Sequence, residues 1–138
     1  MSWIRKFLES HGFSYRTDAQ GIQIEGLRVV VWQNPDGWMA QGLEIDYAAA
    51  GDSIEDVIES FAKGLAITLH ENQKAFGTIE RVLKPAPQEA WKPFLSGQAQ
   101  PPAQPRYREK LITALAELKD TDILPEHLTS LRLYQQAA

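Results

Sequence analysis

The run Leu27-Arg28-Val29-Val30-Val31-Trp32-Gln33, closed by Asn34-Pro35-Asp36-Gly37, leaves the centre of this chain little choice of structure. Branched and aromatic side chains suit a pleated, half-buried surface, so the run predicts a strand. Asn at the first turn position, Pro at the second and Gly at the fourth fit a type I turn, with Gly37 free to adopt a positive φ. Residues 38–45 then return as the partner strand. A weaker hairpin is predicted upstream, from 13–17 and 22–25, joined by Asp18-Ala19-Gln20-Gly21.

A helix is expected from Ser53 to about Glu71. Ser53 can accept from first-turn amides, and Asp56 three residues on completes a capping-box pattern. Asp52, Glu55 and Asp56 favour the positive end of the helix dipole. Ile54, Val57, Ile58, Phe61, Leu65 and Leu69 recur at helical spacing, with Ala62 and Ala66 on the same flank permitting close approach to a sheet. Residues 3–11 read as a short amphipathic helix ended by Gly12. Beyond Gly77, residues 78–83 suit either a strand or a helix cut short by Pro85 and Pro87, and 88–95 a short helix. Gln98-Ala-Gln-Pro-Pro-Ala-Gln-Pro105 reads as a polyproline-like linker. A tail helix over 106–119 and a last short helix over about 125–135 follow. The expected architecture is α+β: a small antiparallel sheet packed against one main helix, with an N-terminal helix and a helical C-terminal tail. It divides into a domain over 1–97, a linker over 98–105 and a tail over 106–138.

Several function classes fall away on composition. With no cysteine, disulfides, zinc–thiolate sites and thiol nucleophiles are excluded. The opening apolar run is broken by Arg5 and Lys6, and no stretch approaches the roughly 18 apolar residues of a membrane span, so a cytoplasmic protein is expected. A net charge of −4 gives no general attraction to nucleic acid. No phosphate loop, H-E-x-x-H or G-x-S-x-G is present. His11, His70 and His127 lie far apart, each near an expected helix end, where the dipole alone favours them. Neither an enzyme nor a cofactor or metal site is expected.

The strongest local signal is charge. From Asp36 to Glu59 there are seven carboxylates and no Lys or Arg. Helix capping accounts for Asp52 and Asp56, and also for Glu55. It does not explain Glu44, Asp46 or Glu59, and Glu55 and Glu59 are like charges four apart on one helix, offset in part by Lys63. Asp36, Glu44, Asp46, Glu55 and Glu59 therefore form the candidate partner-binding set, an acidic face for a basic protein. The same charges would serve equally as a solvated surface. Trp32 and Trp38 flank one turn, where cross-strand aromatic packing is a sufficient explanation. In the tail, the stripe of Leu111, Leu115 and Leu118 (with Ile112) suits dimerisation or docking. From Arg106 onward five basic residues balance five acidic ones, too even for a typical DNA reader.

The strand run, the second strand with Ala40 and Leu43, and then Gly51-Asp52-Ser53-Ile54-Glu55-Asp56-Val57 resemble the HicB-type antitoxin domain over roughly residues 27–71. In that family a hairpin leads to G-D-T-x-E-E-A at a helix start; here Ser replaces Thr, Asp replaces Glu and Val replaces Ala. The resemblance implies a degenerate RNase H-like sheet and helix without catalytic carboxylates. It further implies a small basic ribonuclease toxin as the partner, with its active site blocked. Family members often add a DNA-binding tail, which the balanced charge here does not favour. Phe7-Leu-Glu-Ser-His-Gly-Phe13 is similar to the opening of the toxin family, yet Gly21 is followed by Ile22 and Gln23 rather than by that family's Ser-His.

The function expected is thus a non-enzymatic protein-binding module, itself a homo-oligomer through its tail. Two other classes fit less of the sequence. One is a small acidic chaperone or inhibitor resembling those of type III secretion or phage, which an effector peptide and light scattering would reveal. The other is a degenerate nucleic-acid binder, which retention on heparin would reveal.

Overall fold

The valine run lies inside a sheet covered on both faces. A computed structural model describes residues 12–18, 21–95, 99–100 and 132–136. Strands β1 (Ser14–Asp18) and β2 (Gly21–Glu25) form a separate antiparallel ribbon, pairing Asp18 with Gly21. Strands β3 (Arg28–Asn34) and β4 (Gly37–Gly42) form the expected hairpin, with Asn34 opposite Gly37. The Asp36 amide donates to Asn34 Oδ1 at 3.0 Å, and Gly37 takes a φ of 145°. Next come β5 (Ala48–Gly51), helix α1 (Ile54–Phe76), a 3-10 turn (Glu80–Val82), helix α2 (Gln88–Leu95), β6 (Ala99–Gln100) and β7 (Arg132–Gln136). The larger sheet has the order β5-β4-β3-β7-β6. Its pairs are antiparallel except β3 with β7, which run parallel.

Alternation along β3 sends its side chains to two cores. Val29 and Val31 join Ala40, Val57, Phe61, Leu65 and Leu69 in the main core between the sheet and α1, together with Phe13, Ile22 and Ile24 from the β1–β2 ribbon. Val30 points the other way, into a smaller core with Leu43, Ala86 and Trp91. Every apolar position expected on the inner face of α1 is buried except Ile54, which packs against the core half-buried. Ser53 caps that helix as expected, accepting from the Asp56 amide at 3.1 Å. Gly77 ends it in the left-handed conformation, φ 72°, its amide donating to the Gln73 carbonyl.

The structure departs from expectation at several places, and β4 ends at Gly42 rather than at 45. Helix α1 runs five residues past Glu71, so His70 lies within it rather than at its end. Residues 78–83 contain a 3-10 turn. Strand β5 was not foreseen: its three alanines are poor strand formers, and pairing with β4 rather than propensity extends them. Strand β6 falls within the expected linker, and β7 occupies residues read as the end of a helix. A side-chain pattern does not reveal that Arg132–Gln136 has an open flank of β3 to join. Finally, Trp32 and Trp38 do not pack across the hairpin. The register sets Trp32 opposite Met39 and Gln33 opposite Trp38, so Trp38 packs on the main core and Trp32 on the smaller one. The expected helices over 3–11 and 106–119, with Leu111, Leu115 and Leu118, lie outside the described residues, as do His11 and His127.

Candidate functional site

The acidic residues do not form one face, because the fold sorts them into three environments. Glu44 is in the interior. It is wholly buried, and its carboxylate accepts from the Arg28 backbone amide at 2.8 Å and from Arg28 Nε at 2.6 Å. Arg28 Nη2 lies 2.6 Å from the same carboxylate, and the guanidinium carbon sits 4.8 Å from the centre of the Trp91 ring. This arrangement holds β3 to the loop after β4, where Leu43 N also donates to the Arg28 carbonyl at 2.9 Å. Glu44 therefore leaves the partner-binding set: a carboxylate enclosed by the one arginine it needs has no surface to offer.

Asp46 is exposed but lies on the loop between β4 and β5. There it accepts from Gln41 Nε2 at 3.0 Å, and its amide donates to the Lys84 carbonyl at 2.6 Å. Glu55 is half-buried on the first turn of α1. Neither lines the groove that collects the others.

That groove, of about 560 Å³, runs between the end of β5 and the first half of α1. Asp36, Asp52, Asp56 and Glu59 line it, with Ser60, Lys63, Ala50 and Gly51. Three features of the sequence assemble it. Asp56, Glu59, Ser60 and Lys63 are spaced three, four and seven apart, which places them on one stripe of the helix. Pairing of Trp38 with Gly51 brings the β3–β4 turn, and with it Asp36, against the start of the helix. Two glycines allow that approach: a Cβ on Gly37 would come 2.6 Å from the Gly51 carbonyl oxygen, and one on Gly51 would come 2.6 Å from the Val57 amide nitrogen. The glycine of the Gly51-Asp52-Ser53 motif is thus required by the close passage of β5 over α1.

Among the described residues Lys63 is the one cation lining the groove, and it lies 3.1 Å from Glu59 across one helical turn. The lining keeps a clear excess of negative charge at the positive end of the α1 dipole, where carboxylates are stabilised. Asp36 and Glu59, two of the acidic residues singled out in the sequence, line the groove. Helix capping does not exhaust the role of Asp52 and Asp56, for both also line it. For Asp56 the signal was available in its helical spacing to Glu59; Asp52 and Asp36 needed the strand register. Among the described residues no group of His, Asp or Glu is arranged to hold a metal ion. No described helix is long and apolar enough to cross a membrane.

Compared with protein-family models, curated proteins and solved structures, the chain matches none.

Proposed function

We propose that this chain is a non-enzymatic protein-binding module of the HicB-like antitoxin kind, which docks a small basic partner protein in the groove between β5 and α1. The observation that carries the reading is the groove's charge: four carboxylates from three segments of chain converge on it, against one lysine already beside a glutamate. Complementary charge of this sort steers a basic protein into contact and sets its orientation, more than it adds raw affinity. The long helix launched from Gly51-Asp52-Ser53 onto one face of a sheet supports the HicB-like part of the proposal, in which the domain is a degenerate RNase H-like unit.

The test is co-purification with any small basic protein encoded beside this chain, followed by titration calorimetry of the pair. Exposed charge pairs contribute about 0.2–1 kcal/mol each, so the triple variant Asp36→Asn, Asp56→Asn, Glu59→Gln should weaken binding roughly tenfold. The salt dependence of the association should flatten with it. Affinity and salt dependence unchanged in the variant would remove the acidic groove from the interface and end this reading.

A further inference from the structure

Among the described residues, the groove is bordered by a sheet edge that no strand pairs with, since β5 stands at the end of the described five-stranded order. The direction of its backbone groups follows from one bond: Gly42 N donates to the Tyr47 carbonyl at 2.8 Å, immediately before the first ladder pair, Gln41 with Ala48. Bonded and non-bonded pairs alternate along an antiparallel ladder. Ala49 and Gly51 therefore turn their amides and carbonyls toward β4, while Ala48 and Ala50 turn theirs outward. Among the described residues nothing pairs with those outward groups, and the Ala48 and Ala50 side chains are themselves exposed. Ala50 also lines the acidic groove, so the open edge and the carboxylates form one continuous surface.

We infer that this surface receives its partner by strand addition: an extended, lysine- or arginine-bearing segment pairs with β5 as a further strand and sets its basic side chains against Asp36, Asp52, Asp56 and Glu59. The inference rests on the proposed protein-binding function and specifies how the partner is held. Added strands gain affinity from main-chain hydrogen bonds and specificity from the side chains alongside. Charge selects the occupant. A second copy pairing through its own β5 would bring two such grooves together, and Asp46 and Asp52 flank the strand as like charges opposing that pairing. A basic strand meets no such opposition.

The experiment uses the full chain, labelled with nitrogen-15, and a short peptide of alternating lysine and valine. Two further peptides carry methyl groups on the valine or on the lysine backbone nitrogens; their charge is unchanged, but each has one edge that cannot pair. The amides of Ala48 and Ala50 should gain protection from hydrogen exchange when the parent peptide binds. One methylated isomer should bind at least about tenfold more weakly than the other, as expected when main-chain bonds are lost. Ala50→Pro, which removes an outward amide and leaves the ladder to β4 intact, should fold normally and lose peptide binding to a similar degree. Equal binding by both isomers, with Ala48 and Ala50 unprotected, would overturn strand addition while leaving charge-driven docking standing. Unchanged binding by Asp56→Asn, Glu59→Gln would instead overturn the docking reading beneath it. A dimer of the free protein that Ala50→Pro converts to monomer would show the edge to be a self-association surface, and would also overturn the inference.

Discussion

Arg28 and Glu44 face each other with almost no solvent contact, Arg28 at 5% exposure and Glu44 at 0%. Burying two charges costs several kcal/mol per ion, and their attraction offsets this only when the geometry is good and the remaining groups are bonded. Here the carboxylate has two arginine nitrogens and a backbone amide, and the guanidinium lies against Trp91. Removing one partner is the damaging change. Glu44→Ala should lower unfolding free energy by about 3–5 kcal/mol in urea titration, whereas the paired replacement Arg28→Met, Glu44→Leu should cost less, about 1–3 kcal/mol, because it leaves only the Arg28 backbone amide without its acceptor. A loss in the double variant as large as in the single one would mean that the pair itself stabilises the fold. A second position follows from the close passage at Gly51. Its substitution by Ala drives a methyl group into the backbone at Val57, an overpacking worth about 1–3 kcal/mol. Thermal unfolding of Gly51→Ala at unchanged wild-type length checks this, and an unaltered melting temperature would show that β5 can move away from α1 freely.

The hairpin and the helix differ from β5 and β7 in how their sequences specify them. β3, its turn and α1 carry their own instructions: valines for the pleat, Asn and Gly for the turn, Ser53 for the cap, a regular apolar stripe for the core face. These elements were legible residue by residue. Strand β5 carries none, since Ala48, Ala49 and Ala50 have no preference for extended structure and adopt it because β4 presents a ladder. The groove was half legible for the same reason: the helical carboxylates announce a shared stripe, but Asp36 reaches it only through strand register. Glu44 could not be separated from the surface acids by composition, because its burial depends on Arg28 sixteen positions away. At the start of α1, Ser53→Ala should cost about 1 kcal/mol by denaturant titration, with the slope unchanged. A much smaller effect would show that tertiary packing, rather than the cap, sets where that helix begins.

At the scale of the described molecule, strand pairing joins segments on either side of the proline-rich stretch. A boundary near residue 97 would leave β6 and β7 outside the domain, yet β7 lies directly against β3 over Arg28–Val31. A chain ending at residue 97 would keep the main core but bare the flank of its most apolar strand. Such an unpaired edge recruits other chains. The truncated protein should therefore elute as aggregates in size-exclusion chromatography, or unfold with reduced cooperativity if it stays monomeric. A monomer with the stability of the full chain would demote β7 to an ornament of the sheet.

The parallel pairing of β3 with β7 also bears on how the protein is made. The hairpin and α1 lie close together in the chain and can assemble early, whereas β7 joins them from about a hundred residues downstream. Long loop closures are slow before they are rewarded, so a nascent molecule waits with one side of β3 uncovered. The yield of native protein on refolding should therefore fall as protein concentration rises, and a yield independent of concentration would show that β7 docks without delay.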